Sequence, residues 1–213
     1  MGFDDSLKAA KERAYSLLKD QNGWKVSSKS TEHWTIESKL SDKLNCSIYR
    51  TVMWVKAPLN VVKDTLNFLP GGRRKEWDPD FKELILLKQL ADNTILYVTR
   101  TNPVAKGVIS PREFINVATW EETTDFYQLT GCGVEYPDFK SDDNFVRGFS
   151  GCMLMKIEKD PRKPGVVRVT TVTEMDPKGK IPRAILDSAI PGVLAGSFVT
   201  WRKFLEKEGH LKQ

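Results

Sequence analysis

The sequence predicts an α+β fold in which a curved antiparallel sheet holds one long C-terminal helix. From residue 82 to residue 176 the chain is a series of strand-like runs without a helix-like segment. An apolar-faced helix follows over residues 182–205. One helix about 10 Å across cannot fill the concave side of a sheet of about nine strands, so we expect an internal space between helix and sheet.

The first third of the chain predicts two helices and three short strands. Apolar side chains at helical spacing indicate a helix over residues 5–19, which Asn22-Gly23 ends. The three strands follow at residues 24–26, 33–38 and 47–55. Pro58 then opens a second helix, which the Pro-Gly-Gly run at 70–72 breaks.

The central region predicts a meander of six strands, at residues 84–90, 94–101, 113–121, 125–133, 145–158 and 166–175. Short polar connectors, such as 91–93 and 160–165, favour antiparallel hairpins between neighbours. The connector from 102 to 111 differs because it is long and contains Val104, Val108 and Ile109. Loops with such apolar residues usually cover something.

The terminal helix contains residues that weaken its middle. Pro191 removes one helical hydrogen bond, and Gly192 and Gly196 each cost about 1 kcal/mol relative to alanine. Close packing of the glycines against strands is one explanation. A lid that bends or partly unfolds is the other.

Composition predicts a single domain over residues 1–213, because 40% of the residues are hydrophobic and no linker-like stretch divides them. The 33 Lys and Arg residues against 28 Asp and Glu give a net charge of +5, spread along the chain. This charge permits weak attraction to anionic membranes, and the lack of a basic tract argues against nucleic acid as a partner. Without an 18-residue apolar span or a signal region, we expect a soluble protein. We further expect a cytoplasmic monomer. Met1-Gly2 with Ser6 loosely fits N-myristoylation, although an ordinary helix start is the favoured explanation.

The sequence offers little for a metal site or for catalysis. The cysteines Cys46, Cys132 and Cys152 have neither metal-ligand nor CxxC spacing, which favours a reducing compartment. The histidines are His33 and His210, far apart in sequence, and no nucleophile-elbow, dinucleotide or phosphate-loop motif occurs. We therefore expect no metal, no cofactor and no enzymatic activity.

Four segments together resemble the START (steroidogenic acute regulatory protein-related lipid-transfer) family. In family order they are Glu-Trp-Asp-Pro at 76–79, Ile-Ser-Pro-Arg-Glu-Phe at 109–114, Phe-Val-Arg-Gly at 145–148, and Asp-Pro-Lys-Gly-Lys-Ile-Pro at 176–182. The resemblance covers residues 24–205 and is greatest to the small stand-alone sterol carriers. It implies the helix-grip fold, with a tunnel for one lipid whose entrance lies between the 102–110 loop, including Val104 and Val108, and the terminal helix.

Arg100 is the first candidate for contact with a ligand. It shares a strand face with Leu96 and Val98, so alternation predicts that it points to the apolar side, where an unpaired guanidinium is costly. The resemblance implies a charged pair in this region, and its second position corresponds here to Asn116. Because an amide cannot neutralise the cation, Arg100 would be free to meet a hydroxylated or anionic ligand. The alternative is that Arg100 reaches solvent or pairs with Glu174.

Further candidates are apolar. The residues expected to line the tunnel are Val98, Ala118, Ile190, Leu194, Phe198 and Trp201, although each could instead be ordinary core. The charged and aromatic residues of the four segments are interpreted as structural because such residues usually fix turns and strand ends; they are Trp77, Asp78, Arg112, Glu113 and Arg147.

The function expected from this sequence is non-enzymatic lipid transfer with transient membrane contact. The resemblance favours a sterol or sterol-like ligand. Bile-acid-like, fatty-acid, carotenoid and phospholipid ligands stay open, as does a role in lipid sensing or storage. A helix-grip enzyme is the less favoured alternative, because the catalytic residue patterns are missing.

Overall fold

The structure, a computed structural model, describes residues 2–211 and confirms the expected fold class. Its helices are α1 (Phe3–Lys19), α2 (Leu59–Leu66) and α3 (Arg183–Lys207), with a single 3₁₀ turn at Arg74–Glu76. Its strands are β1 (Lys25–Val26), β2 (Trp34–Leu40), β3 (Ser47–Val55), β4 (Phe81–Ala91), β5 (Thr94–Thr101), β6 (Arg112–Glu122), β7 (Phe126–Gly133), β8 (Val146–Arg147), β9 (Phe149–Lys159) and β10 (Val167–Asp176). The predicted helices and strands are thus present in the predicted order.

The strands form one sheet in the order β1-β2-β3-β10-β9-β7-β6-β5-β4. The expected hairpins are present, and in addition β3 pairs with β10, so that the third and the last strands of the chain meet in mid-sheet. The predicted strand over 145–158 is wrong in one respect, because it is divided at Gly148. The short β8 pairs parallel to β6, and a Cβ atom at Gly148 would lie 2.2 Å from the Phe114 ring, so the chain passes that ring only without a side chain.

The sheet has two buried faces. The outer face is covered by α1 through Leu7, Ala10, Ala14 and Leu17. The inner face, covered by α2 and α3, forms a second apolar cluster that includes Trp34, Ile36, Tyr97, Ala118, Val169 and Trp201. Successive side chains of a strand alternate between these faces, so each strand contributes to both layers.

Arg50 fixes the end of α1 against the outer face. Its Nη1 donates to the carbonyl oxygens of Leu17 (3.3 Å), Leu18 (3.4 Å) and Asp20 (2.9 Å), which the end of the helix leaves unpaired. The guanidinium also pairs with Glu37 at 2.7 Å and lies 4.2 Å from the Trp24 ring centroid. One cation therefore caps the helix and joins it to β2 and β3.

α3 is attached to the inner face by its C-terminal half. Phe198 packs edge-on against Trp34 with ring centroids 5.8 Å apart, and Trp201 Nε1 donates to Thr65 Oγ1 at 3.0 Å. Leu205 is fully buried. In contrast, no residue from 183 to 197 is buried, although this half of the helix is rich in apolar residues.

α3 also corrects one expectation. Its length and composition would allow it to cross a membrane, whereas the sequence was expected to contain no apolar segment of that length. The charges of this helix lie near its two ends, with Asp187 alone between Arg183 and Arg202, and this leaves a long uncharged stretch.

Removal of the Leu205 side chain tests the anchor of α3. Leu205→Ala deletes fully buried methyl groups, so we expect the free energy of unfolding to fall by about 2–5 kcal/mol. The matched control is Val199→Ala on the same helix, where 39% of the residue is exposed and the expected change lies within about 0.5 kcal/mol. Urea denaturation of both variants gives the comparison, and equal losses would place the anchor elsewhere.

Candidate functional site

The candidate site is the space between the N-terminal half of α3 and the inner face of the sheet. The N-terminal half of α3 lies beside β3, because Ser47 Oγ donates to Asp187 Oδ1 at 2.7 Å. On β3, β9 and β10 the inner face carries side chains that are only half-buried; they are Tyr49, Met153, Thr171, Thr173 and Met175. The helix contributes Ile190 and Leu194, which are also half-buried. Core side chains normally pack to crystal-like density, so incomplete burial on both sides indicates unfilled volume between them. Burial raises the pKa of Tyr49, whose hydroxyl therefore stays protonated.

One row of residues makes part of the inner face polar. Tyr97 on β5 lies opposite Asn116 on β6, and Asn116 lies opposite Gly133 on β7. A Cβ atom at Gly133 would lie 2.9 Å from the backbone nitrogen of Ser150, so Ser150 at the start of β9 comes next. Among the described residues, Tyr97 Oη, Asn116 Oδ1 and Ser150 Oγ are buried and have no hydrogen-bond partner. The row therefore places three unpaired polar groups in an apolar environment.

Arg100 does not belong to this space, and the expectation that it lacks a counter-charge is wrong. Leu96 and Val98, which share its strand face, lie in the outer cluster beneath α1. Its guanidinium pairs with Glu113 and Glu83, each at 3.2 Å, and lies 4.5 Å from the Phe145 ring centroid. Alternation placed the three residues on one face correctly, but it cannot distinguish two faces that are both buried.

Glu113 is the centre of the network around Arg100. The residue is fully buried and accepts hydrogen bonds from Arg100 through Oε2 and from Arg147 through Oε1, the latter at 2.7 Å. Glu174, the alternative partner for Arg100, instead pairs with Arg13 at 3.0 Å. Asn116 lies on the other side of the sheet, because register places Arg100 opposite Glu113 and Tyr97 opposite Asn116.

The other predicted ligand residues are distributed as follows. Ala118, Phe198 and Trp201 lie in the inner cluster, Leu194 packs against it, and Ile190 is half-buried on the helix. Val98 is fully buried on the outer side, away from α3. That the residues on the inner face contact a ligand stays a prediction. Phe198 and Trp201 also anchor α3, so they serve the core in any case.

The 102–110 loop lies beside α3. Val104 and Ile109 form a β-bridge, and the tip turns through Ala105 (φ 52°), Lys106 (φ 56°) and Gly107 (φ 88°). Val108 at the tip is 52% exposed, whereas Ile109 is buried. A cleft of about 490 Å³ separates loop and helix, and it is lined by Pro79, Asp80, Ala105, Lys106, Ala189, Gly192, Val193, Gly196, Ser197 and Thr200.

The glycines of α3 do not serve close packing. A Cβ atom at Gly192 or Gly196 would meet nothing within 4 Å, so the close-packing explanation is wrong. Both residues instead line the cleft toward the loop. Because glycine lowers helix stability without a packing gain here, the helix is weakened where it borders the cleft.

Arg112 joins the base of the loop to the start of α3. Its guanidinium donates to Ser110 Oγ at 2.7 Å, to the Pro177 carbonyl at 2.6 Å and to the Lys178 carbonyl at 3.3 Å. Among residues 2–211 no carboxylate forms an ion pair with Arg112, and burial lowers its pKa. Both segments that border the cleft are therefore tied to one buried side chain.

Comparison with known proteins identifies the architecture. The family model described as the START domain matches residues 4–210. The chain belongs to the START family. StAR-related lipid transfer protein 5 of Bos taurus is 25% identical over 205 residues, which covers 93% of each chain. The mitochondrial steroidogenic acute regulatory protein of Bos taurus is 24% identical and is matched over 63% of its length.

Solved structures agree with this fold. The structure of human StAR-related lipid transfer protein 5 superposes with a TM-score of 0.87 at 23% identity and covers 97% of both chains. Human STARD10 superposes with a TM-score of 0.70 at 15% identity, over 97% of this chain and 84% of that one. These superpositions show that both proteins share the fold of this chain.

Sequence reasoning missed Tyr97 and Ser150 in the site. On the outer face, Glu113 is interpreted from sequence as structural, but its role as the partner of Arg100 follows only from the β5–β6 register. Tyr97 has a usable signal, since it alternates with buried Leu96 and Val98 and must face the opposite layer. Ser150 has none, because a register shift between Glu174 and Met175 skips Gly151 and brings Ser150 opposite Met175.

Substitution of the buried carboxylate tests the outer-face network. Glu113→Gln preserves shape but leaves Arg100 and Arg147 without their shared negative charge, so we expect a loss of about 3–5 kcal/mol in the free energy of unfolding. Glu83→Gln is the matched control: its side chain is 38% exposed and the expected loss is below about 1 kcal/mol. Chemical denaturation measures both, and a loss at Glu113 no larger than at Glu83 would show that the network contributes little.

Proposed function

We propose that this protein is a non-enzymatic lipid carrier that holds one sterol or sterol-like molecule between α3 and the inner face of the sheet. The observation that carries the proposal is the N-terminal half of α3, which is apolar and yet contains no buried residue from 183 to 197. A hydrophobic ligand beneath it would remove this surface from water, at a gain of about 25 cal/mol per Å². Membership of the START family and relatives named for lipid transfer support the same conclusion.

The favoured cargo follows from the resemblance to sterol carriers and from the chemistry of the inner face. Hydroxyl and amide groups, rather than charged ones, interrupt its apolar surface at Tyr97, Asn116 and Thr173. Such a site suits a large apolar body with a small neutral head. Bile-acid-like, fatty-acid, carotenoid and phospholipid cargoes are alternative outcomes of the experiment below.

We further propose that the 102–110 loop, with Val104 and Val108, and α3 move apart to admit the ligand. The cleft already separates them, and Gly192 and Gly196 weaken the helix along its border. Apolar side chains are exposed on both elements, with Val108 52%, Ile185 44% and Val199 39% exposed. Together with the net charge of +5, these residues favour transient contact with an anionic membrane surface by a cytoplasmic monomer.

Transfer without covalent chemistry is consistent with the reactive groups of the described chain. Burial raises the pKa of Cys46 and Cys152 to about 12 and that of Cys132 to about 11, so these thiols stay protonated and are poor nucleophiles at neutral pH. His33 precedes β2 and His210 follows α3, so neither lies on the inner face of a strand.

Identification of the bound lipid tests the carrier function. We expect native mass spectrometry of the detergent-free protein to show a one-to-one adduct, and solvent extraction to release a sterol or isoprenoid. Micromolar protein should also accelerate exchange of that lipid between labelled vesicles. A phospholipid or fatty-acid adduct would replace the favoured cargo, tight binding without accelerated exchange would indicate storage or sensing, and failure to bind any lipid would refute the carrier.

Stiffening of α3 tests the gate. A variant with Gly192→Ala and Gly196→Ala should gain helix stability of about 1 kcal/mol per site, because the added methyl groups meet nothing within 4 Å. We expect slower vesicle-to-vesicle exchange, by about tenfold, with little change in equilibrium affinity. The control is Ser188→Ala, at an exposed position in the same half of the helix. Unchanged exchange in the double variant would show that α3 does not bend at its glycines during ligand entry.

A further inference from the structure

We propose that Tyr97, Asn116 and Ser150 form the head-group site of the carrier and that the site takes a neutral lipid hydroxyl. The proposal deepens the function proposed above and rests on it. It assigns the orientation of the cargo to three inner-face groups.

The three residues lie side by side on neighbouring strands. Tyr97 pairs with Asn116, Asn116 pairs with Gly133, and Ser150 approaches Gly133 from β9. Adjacent strands are about 4.8 Å apart, so the row crosses the sheet over a distance of about 15 Å. Paired residues of antiparallel strands project to the same side, and Tyr97 belongs to the inner cluster, so the row faces the layer of α2 and α3.

Each of the three side chains contains a polar atom that the described protein leaves unpaired. Tyr97 and Ser150 are 0% exposed and Asn116 is 1% exposed. Tyr97 Oη, Asn116 Oδ1 and Ser150 Oγ have no hydrogen-bond partner. Buried polar atoms are paired in the great majority of cases, because an unpaired one is destabilising, so three in one row call for a missing partner.

The chemistry of the row selects a hydroxyl. Asn116 Oδ1 accepts only, and therefore needs a donor, whereas the hydroxyls of Tyr97 and Ser150 can donate or accept. A lipid hydroxyl both donates and accepts, so it can satisfy Asn116 and one of the hydroxyls at once. Burial raises the pKa of Tyr97, so its phenol stays protonated and can donate. A hydrocarbon end would leave all three groups unpaired.

The surroundings of the row disfavour an ionised head group. The inner-face neighbours along β5, β6 and β10 are uncharged; they are Ile95, Thr99, Phe114, Ala118, Thr173 and Met175. The nearby arginines are paired elsewhere: Arg100 with Glu113 on the outer face, Arg112 with Ser110, Pro177 and Lys178, and Arg183 at the start of α3 with Asp187 at 3.4 Å. A carboxylate or sulfate would enter this environment without a counter-charge, which is strongly unfavourable.

Tyr127 supplies an internal control. Its hydroxyl is also buried without a partner among the described residues. It pairs with Glu122, at the opposite end of β7 from Gly133, and six residues of strand separate the two by about 20 Å. A ligand hydroxyl at the row therefore cannot reach Tyr127.

The test compares three sterols with one ring system and different heads: cholesterol, cholest-5-ene, which lacks the hydroxyl, and cholesteryl sulfate. We expect the wild-type protein to bind cholesterol about tenfold more tightly than either of the others, as one good hydrogen bond contributes. Asn116→Leu, Ser150→Ala and Tyr97→Phe should each reduce the affinity for cholesterol toward that for cholest-5-ene, without weakening cholest-5-ene binding. Tyr127→Phe should leave all three affinities unchanged.

A second readout separates recognition from a structural role. Because Tyr97→Phe and Ser150→Ala each remove an unpaired hydroxyl, the empty variants should unfold at the same temperature as the wild type or higher. These two variants also decide the question if Asn116→Leu does not fold. In the wild type, the side-chain amide resonances of Asn116 should shift with cholesterol and not with cholest-5-ene.

The possible outcomes distinguish this inference from the carrier function. Equal affinity for cholesterol and cholest-5-ene in the wild type would leave the carrier intact and overturn the head-group site, and the three groups would then belong to buried water. Loss of cholesterol affinity in Tyr127→Phe equal to that in Tyr97→Phe would overturn it as well. Failure of all three sterols to bind would refute the sterol carrier together with its head-group site.

Discussion

The one-sided attachment of α3 is the constraint on which the rest of the structure depends. Phe198, Trp201 and Leu205 fix the last third of the helix to Trp34 and Thr65, and no residue before them in the helix is buried. A helix packed along its whole length would close the inner layer as α1 closes the outer one. Because α3 is held at its C-terminal end, protein side chains leave space between its N-terminal half and the inner face.

The charges of the protein are distributed in a way that preserves this space. Buried ionic groups are gathered on the outer face or at strand ends, where Glu113 joins Arg100 and Arg147, Glu174 joins Arg13, and Arg50 caps α1. Each of these charges is satisfied by partners fixed in the fold. The inner face is left with hydroxyls and one amide, groups whose burial without a partner is less unfavourable than that of a charge.

Much of the architecture could be predicted from the sequence, and the failures have physical causes. Alternation and turn residues predict the positions of the strands, and apolar periodicity predicts α3, because these signals are local in the sequence. The pairing of β3 with β10 joins segments more than 100 residues apart, for which no local signal exists. The prediction that Arg100 faces the ligand space is wrong because both faces of the sheet are apolar, so alternation cannot tell them apart. Ser150 was missed because its orientation depends on a register shift.

The sheet that wraps α3 does not close, so its edge strands could pair with those of another copy of the chain. The strands at its two ends, β1 and β4, each pair on one side only and present free backbone groups on the other. β1 has two residues, too few to template another strand. β4 is eleven residues long, but its register shifts at three points and it carries Lys82, Glu83 and Lys88. Irregular, charged edges of this kind resist strand addition, so the open sheet does not become a site of aggregation.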